Sequence, residues 1–218
     1  MAGVRGLSTG LGAPRGAPAL PEIATERLVL RLARPGMERA MADFLTANFP
    51  GHLDRWSPPV GKGFFTEAFW REKLRLGVEE FHTDRAVRMV LQRRAGTDLP
   101  AIDAAIIGTC NYTNIVRGPF QACHLGYQVA LAEQGKGLMQ EALRAGNGFM
   151  FEDRRLHRIM ANYRPENYRS AHLLERLGFR REGLAQDYLF IDGGWRDHVL
   201  TALANTAYDP AWIESAGR

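Results

Sequence analysis

The sequence predicts an α/β protein of the α+β kind, with a mixed central sheet of about seven strands and about four flanking helices. Seven short runs of apolar residues, alternating or continuous, have the length and composition of strands. Four other segments repeat apolar residues at steps of three and four, which is typical of helices. A chain of 218 residues with 45% hydrophobic content is long enough for one substantial core. We therefore expect a single domain at 21–208, between a flexible tail at 1–20 and a second tail at 209–218.

The first half of the domain is expected to hold four strands and two helices. The alternation at 25–32 predicts the first strand, which ends at the turn residues Pro35 and Gly36. Helical spacing follows at 37–49 and again at about 65–81, where the aromatic residues either pack in the core or line a groove for an acceptor. Apolar runs then predict three strands, at 87–92, 105–110 and 123–129.

The second half is expected to add two helices and three strands. An amphipathic helix begins at Leu138, and a shorter one at 171–177 ends at Gly178. Between them, 157–163 is predicted to be a strand. The residues at 192–194, Asp-Gly-Gly, predict a hairpin turn. The two strands that flank this turn are expected at 187–191 and 198–203.

Two cysteines and six histidines limit the cross-links and metal sites that the chain can form. Cys110 and Cys123 are too few for a disulfide framework or a four-cysteine zinc site, and we expect buried thiols. The histidines have no spacing typical of metal ligands, so we expect no metal. No run approaches the roughly 18 apolar residues of a membrane span. Residues 1–20 also lack the continuous apolar core of a secretory signal, so we expect a cytoplasmic protein without a membrane partner.

The charge of the chain is mildly basic and comes almost entirely from arginine. The formal net charge is +4, and 25 of the 28 basic residues are arginine. Such a surface suits an acidic partner, including ribosomal RNA or the surface of a ribosome. A codon-composition bias toward arginine explains the same count without any partner. We expect no DNA partner, and proximity to the ribosome stays open.

The most informative stretch lies at 134–139, where the letters QGKGLM follow an apolar strand and open a helix. Gly135 and Gly137 let the backbone turn tightly, so that several N–H groups point at one site. The helix adds its unpaired N-terminal donors and the positive end of its dipole. The stretch therefore predicts a phosphate or pyrophosphate site, unless the glycines form only an ordinary turn before a helix.

The spacing of this stretch decides between phosphate ligands. A dinucleotide fingerprint needs glycine where the chain has Gln140, and a nucleotide P-loop needs Ser or Thr after Lys136, where the chain has glycine. The stretch instead resembles the Q/R-x-x-G-x-G/A signature of the GNAT acetyltransferases, which bind the pyrophosphate of acetyl-CoA. Gln134 and Gly137 fill its first and fourth positions. Met139 replaces the final small residue, so its side chain has to pack away from the ligand.

Further segments extend this resemblance over 25–206. Asn167 and Ser170, with the letters LGF at 177–179, resemble the second family signature, N-x-x-S followed by a helix and L-G-F. Other segments resemble one branch, the bacterial ribosomal-protein-alanine N-acetyltransferases of the RimJ type. They are 116–120, 125–127, 135–139, 157–163 and 195–200. The resemblance implies the GNAT acyl-CoA N-acyltransferase fold, with central strands splayed apart at the CoA site.

The resemblance also implies an activity. It is acetyl transfer from acetyl-CoA to the N-terminal alanine of a ribosomal protein, the fifth protein of the small subunit, by direct attack of the amine on the thioester. In the family, main-chain groups bind the thioester oxygen and the pantetheine amides, and these positions correspond to Val129 and Leu131. The residues expected to bind the donor are Val129, Leu131, Gln134, Gly135, Lys136, Gly137, Leu138, Met139, Asn167 and Ser170.

The reaction needs a base for the amine and a proton donor for the thiolate. An α-amino group, with a pKa of about 8, is partly unprotonated at neutral pH and needs only a modest base. His124 is the candidate base, and Ser170, at the N-x-x-S position, is the candidate proton donor. The alternatives are a strand histidine without a catalytic role and a serine that only hydrogen-bonds at a helix start. The candidate acceptor-binding residues are Tyr163, Asp187 and Asp197.

Two other functions are compatible with these residues. One is acetylation of a small amine such as an antibiotic or a polyamine, which would need a more enclosed and acidic pocket. The other is a non-catalytic acetyl-CoA-binding module that senses the ligand or takes part in ribosome assembly.

Overall fold

The computed structural model describes residues 19–94 and 96–215, so the tail expected at 1–20 lies mostly outside the described residues. In that part of the chain the helices are α1 Glu38–Asn48, α2 Glu67–His82, α3 Leu138–Glu152, α4 Tyr168–Arg176 and α5 Ala211–Ser215. The strands are β1 Glu22–Ala24, β2 Leu28–Leu32, β3 Val87–Arg93, β4 Ile106–Val116, β5 Ala122–Val129, β6 Arg158–Met160, β7 Arg180–Ile191 and β8 Gly194–Ala204. None of the helices found there is long and apolar enough to cross a membrane.

All eight strands form one sheet in the order β1-β2-β3-β4-β5-β6-β8-β7. Every neighbouring pair is antiparallel except β5 and β6, which are parallel, so the predicted mixed sheet is confirmed. The seven expected strands and four expected helices are present, and β1 and α5 are additional. Three residues are too few to show a periodicity, and β1 exists because it pairs with β2. In the same way β7 begins at Arg180 because its pairing with β8 continues through polar residues.

Two hydrophobic clusters cover the two faces of the sheet. Met89 and Val90 are neighbours in β3 but belong to different clusters, because successive side chains of a strand point to opposite faces. The first cluster packs α3 and α4 against the sheet, with Leu143 fully buried. The second packs α1 and α2 against the other face, with Phe44 buried. The functional site can therefore draw residues from both layers.

The aromatic residues before and within α2 belong mainly to the second cluster. Phe64, Phe65 and Trp70 pack against it. Edge-on ring contacts at 5.7 Å and 5.4 Å join Phe64 to Phe49 and to Trp70. These contacts favour the core-packing interpretation of the aromatics over a groove lined by them.

A buried polar contact fixes α3 on the sheet. Tyr112 of β4 donates its hydroxyl hydrogen to Asn147 Oδ1 at 2.9 Å, and both residues are buried. Gly146 makes this approach feasible, since a Cβ at that position would lie 2.5 Å from the Tyr112 oxygen. An unpaired polar group would be costly in this core, so the pair selects one rotation of α3. The N-terminus of α3, directly after the glycine turn, is thereby held in place.

Candidate functional site

The parallel strands β5 and β6 separate, and this leaves one edge of β5 open. Residues 122–124 pair with residues 158–160, after which the two strands diverge. The rest of β5 keeps only β4 as a paired neighbour. The splayed strands expected from the sequence are therefore confirmed. An unpaired strand edge offers main-chain donors and acceptors to an extended ligand.

The end of β5 turns its main chain into the gap. Gly108 of β4 lies opposite Val129, and Ala130 N donates to Ile107 O at 2.8 Å. In an antiparallel ladder this pattern makes Gly108 and Val129 a non-hydrogen-bonded pair. The N–H and C=O of Val129 therefore point away from β4, where a ligand between the strands would meet them.

The glycine turn joins β5 to α3. Gly135 and Gly137 have φ values of +76° and +74°, in the left-handed region that favours glycine. Gly137 is the residue at which α3 is capped, and the side chains of Leu138 and Met139 point into the core with 1% and 7% exposure. Met139 therefore packs away from the turn, as the departure from the family signature requires. The unpaired N–H groups at the start of α3 lie at this turn and favour an anion.

A hydrogen-bond network with residues just before β2 holds the glycine turn in place. Glu141 accepts hydrogen bonds from Thr25 Oγ1 at 2.6 Å and from Arg27 N and Nε at 2.8 Å and 2.7 Å. Arg27 Nη1 also donates to Lys136 O at 2.9 Å. Burial alone would raise the pKa of Glu141, but these hydrogen bonds outweigh it and lower that pKa. Sequence reasoning missed Arg27 and Glu141, since no local pattern marks a contact across 114 positions.

Side chains from α1 and from the segment that follows it cover the open edge of β5. His52 Nε2 lies 3.0 Å from Val129 O and 3.4 Å from Gln134 Nε2. Asn48 Oδ1 accepts a hydrogen bond from Leu131 N at 2.9 Å. Asn48 and His52 were also missed from the sequence. They lie at the main-chain groups that were expected to bind the donor.

The start of α4 meets β5 across the gap. Asn167 caps the helix, since its Oδ1 accepts a hydrogen bond from Ser170 N at 3.1 Å. The Ser170 hydroxyl is not used for this cap and lies 2.6 Å from the Tyr127 hydroxyl. Arg169, beside it, donates to Gln134 Oε1 in the glycine turn. The structure thus brings Gln134 of the first motif to the start of α4, where Asn167 and Ser170 of the second motif lie.

A cavity of about 260 Å³ opens beside the face of β5 opposite to Tyr127, since Ser57 on its wall accepts a hydrogen bond from Gln128 Nε2 at 3.3 Å. It lies between the segment after α1 and the turn that joins β7 to β8. Its lining residues are Phe49, Asp54, Arg55, Ser57, Pro58, Pro59, Asp192 and Gly193. A hydrogen bond from Gly51 N lowers the pKa of Asp54, so this carboxylate is ionised at neutral pH. Asp192 occupies the hairpin turn, as expected, and also faces this cavity.

Arg164 ties one wall of the cavity to the connection between β6 and α4. Its Nη1 donates to Arg55 O at 2.7 Å, and its guanidinium lies 5.4 Å from the ring centre of Trp56. Its Nη2 pairs with Glu166. The side chain of Arg164 is only 12% exposed, so these contacts are shielded from water. Segment 49–57 is therefore fixed to the element that leads into α4.

His124 lies at the closed end of the gap, on the face opposite to Tyr127. It pairs with Thr113 of β4 and Met160 of β6, and its half-buried ring has an Nδ1 without a hydrogen-bond partner among the described residues. Desolvation by burial lowers its pKa. Val129 lies five positions further along the extended strand, roughly 16 Å away. This distance excludes direct proton transfer at Val129, so His124 would need a chain of water molecules to act there.

The remaining candidates lie on the far side of the gap. Tyr163 follows β6 and forms an isolated bridge with Val199 of β8. Asp197 Oδ1 accepts a hydrogen bond from Asp187 N at 3.0 Å, at a bulge in the β7–β8 hairpin. Asp187 has a φ of +47°, so its conformation is set by the bulge. The two aspartates lie together, and one orients the main chain of the other.

The fold and the site define a protein with an open strand edge beside an anion-binding helix start, which suits a long ligand that carries a pyrophosphate. The chain belongs to the GNAT acetyltransferase family, since the family model described as an acetyltransferase (GNAT) domain matches residues 27–180. It is accordingly an N-acetyltransferase. It is 43% identical over 188 residues to the [ribosomal protein uS5]-alanine N-acetyltransferase of Escherichia coli, a match that covers 86% of this chain and 93% of that enzyme.

Solved structures agree with this assignment. The ribosomal-protein-S5-alanine acetyltransferase of Vibrio fischeri superposes with a TM-score of 0.80 at 36% identity, over 87% of this chain and 100% of that chain. RimJ of Mycobacterium smegmatis, solved in complex with CoA-disulfide, superposes with a TM-score of 0.73 at 30% identity, over 88% of this chain and 90% of that chain. These neighbours share the fold of the chain described above.

Proposed function

We propose that this enzyme transfers the acetyl group of acetyl-CoA to the N-terminal alanine of a ribosomal protein, the fifth protein of the small subunit. The observation that carries the proposal is the 43% identity to an enzyme named for that activity, over nearly the whole length of both chains. The open edge of β5 and the cavity on the other face offer separate places for donor and acceptor. A ribosomal acceptor also agrees with the cytoplasmic location expected from the sequence, and with the ribosome proximity that the sequence left open.

The donor is proposed to bind along β5 and across the glycine turn. The N–H groups at Gly135, Gly137 and the start of α3 suit its pyrophosphate. The main chain of Val129 and Leu131 suits the thioester oxygen and the pantetheine amides. Leu131 N–H is bonded to Asn48 and Val129 O lies beside His52, so donor binding would exchange these partners. The other proposed donor contacts remain Gln134, Lys136, Leu138, Met139, Asn167 and Ser170.

The acceptor is proposed to enter through the cavity between segment 49–57 and the β7–β8 turn. The cavity wall carries two carboxylates, Asp54 and Asp192, and one guanidinium, Arg55, so its net charge favours a protonated N-terminus over an anion. The amine must lose its proton before it attacks, and His124 is the proposed base, acting through water. The acceptor contacts proposed from the sequence, on the β6–α4 connection and the β7–β8 hairpin, remain Tyr163, Asp187 and Asp197.

Peptide acetylation tests the proposal directly. The purified chain is incubated with acetyl-CoA and a peptide that has the alanine N-terminus of the fifth small-subunit protein, with the same peptide blocked at its N-terminus as control. We expect one acetyl group on the free peptide, located at the α-amino group by fragmentation mass spectrometry, and none on the control. Acetylation of spermidine or an aminoglycoside instead of the peptide would contradict the proposed acceptor. Binding of acetyl-CoA without transfer to any amine would indicate a binding module.

A further inference from the structure

We propose that Tyr127 is a positioning residue for the departure of CoA, because its hydroxyl holds the Ser170 hydroxyl and delivers a proton through it to the thiolate. This inference rests on the function proposed above. Tyr127 belongs to strand β5, whereas Ser170 belongs to helix α4.

The contact lies where the thioester would be. Tyr127 precedes Val129 by two residues, about 7 Å along an extended strand. Its side chain faces the α4 layer, and its hydroxyl reaches Ser170 Oγ at 2.6 Å. Ser170 lies in the first turn of α4, on the other side of the gap between β5 and β6. The two hydroxyl groups therefore lie beside the path that a pantetheine arm along β5 would follow.

Serine alone is a poor source of this proton. An aliphatic hydroxyl does not titrate in the range of protein side chains, whereas a thiol ionises near pH 8.5 and a phenol near pH 10. The tyrosine is the more acidic member of the pair and the natural origin of the proton. Burial raises the pKa of Tyr127 to about 12, so its hydroxyl is protonated, and available as a donor, throughout the neutral range. The buried Leu174 one turn further along α4 offers no polar group for this role.

The transfers balance. The amine nitrogen bonds to the carbonyl carbon, the C–S bond breaks, and the sulfur leaves with the bonding electron pair. The Ser170 proton moves to the sulfur, the Tyr127 proton moves to Ser170 Oγ, and Tyr127 regains a proton from solvent. The proton lost by the amine goes to the base on the other face of β5. Successive side chains of a strand alternate, so β5 separates proton uptake from proton delivery.

The test combines kinetics with a titration of bound product. We expect Tyr127→Phe to lower kcat roughly tenfold with little change in the KM for acetyl-CoA, and Ser170→Ala to lower kcat roughly a hundredfold. Because the two hydroxyls act in series, the double variant should be no slower than Ser170→Ala alone. Tyr168→Phe is the matched control, since this tyrosine of α4 is 69% exposed. Thermal unfolding of each variant checks that the fold is intact.

The bound CoA thiol gives a readout that a merely structural role would not change. Hydrogen bonds from the pair should stabilise the thiolate, so CoA bound to the unmodified enzyme should ionise at lower pH than free CoA, as followed by the ultraviolet absorbance of the thiolate. In Tyr127→Phe the ionised fraction at a given pH should fall roughly tenfold. Unchanged ionisation with unchanged kcat, or additive losses in the double variant, would overturn the relay. Failure of the unmodified enzyme to acetylate the peptide would instead refute the proposed function, and the thiol titration would still test Tyr127.

Discussion

The two faces of β5 carry two different kinds of site. On the donor side, the contacts come from the main chain of one continuous stretch, from Val129 through the glycine turn to the start of α3. On the acceptor side, the cavity is lined by residues of segment 49–59 and of the β7–β8 turn, and Arg164 of the β6–α4 connection holds part of that segment through Arg55 O. The first site depends on backbone conformation, and the second on how separate loops are tied together.

This difference predicts how each side responds to substitution. A main-chain site tolerates changes of exposed side chains but not changes of backbone geometry, since its N–H groups do not depend on residue type. An assembled site responds to the loss of single side chains that join its loops. Substitutions on the two sides should therefore separate effects on the acetyl-CoA KM from effects on the acceptor KM.

The largest expected effect concerns the base, which would belong to the acceptor side. His124→Ala should lower kcat by about 100-fold, the lower end of the contribution of general-base catalysis, because the proton has to pass through water to reach it. Burial lowers the pKa of His124 below 6.5, so the neutral imidazole persists as the pH falls. The acid limb of the pH–rate profile should therefore lie below pH 6.5, and it should disappear in the variant, leaving only ionisation of the acceptor amine. His82→Ala, at the exposed end of α2, is the control.

A normal kcat in His124→Ala would transfer the role to another group. His52 would then be the next residue to substitute, because its Nε2 is already 3.0 Å from Val129 O. That outcome would also place the base on the same segment that lines the acceptor cavity.

Backbone geometry on the donor side can be tested at Gly137. A Cβ at this position would meet only Arg27 Nη2 at 3.6 Å, so Gly137→Ala has space, but its φ of +74° is unfavourable for alanine by about 1–2 kcal/mol. We expect the KM for acetyl-CoA to rise about tenfold while the acceptor KM stays unchanged. Gly148→Ala is the control, since Gly148 is helical and an added Cβ would meet nothing within 4 Å. An unchanged acetyl-CoA KM in Gly137→Ala would contradict a main-chain site.

The difference between a site on one continuous stretch and a site assembled from separate loops also explains which features could be predicted from the sequence. The donor side follows from a short motif, because left-handed backbone at Gly135 and Gly137 needs glycine and the helix start follows at once. The seven expected strands and four helices were found for a similar reason, since their periodic patterns are local. The strand β1 and the first part of β7 were missed, because pairing with a neighbour, not an apolar pattern, makes them strands.

The contacts that segment 49–57 makes, both with the donor strand and within the acceptor side, could not be predicted from the sequence. His52 and Val129 are 77 positions apart, and Arg164 and Arg55 are 109 positions apart. Neither contact leaves a local pattern, and a histidine or arginine in a loop has many solvated alternatives. Only the folded topology brings segment 49–57 to the end of β5.

The assembled character of the acceptor side can be tested at Arg164. Arg164→Ala removes the hydrogen bond to Arg55 O and the contact with Trp56. The bound conformation of segment 49–57 should lose about 1 kcal/mol of stabilisation, which corresponds to a roughly fivefold higher KM for the peptide. The acetyl-CoA KM should change less. Arg75→Ala, on the exposed face of α2, controls for the loss of a charge, and equal effects on both substrates would contradict the division between the two sides.

The smallest expected effect is at Lys136, the one basic side chain inside the glycine turn. Its side chain is half exposed and its Nζ pairs with Glu133 at 2.9 Å, so its charge is screened and partly neutralised. If main-chain donors hold the pyrophosphate, Lys136→Met should raise the acetyl-CoA KM only about twofold, and the difference should shrink further at high salt. Lys73→Met, on α2, controls for net charge. A main-chain site keeps its N–H groups in Lys136→Met, so it should keep most of its affinity for acetyl-CoA. A rise in the acetyl-CoA KM as large as that of Gly137→Ala would therefore mean that the donor side also depends on a single side chain.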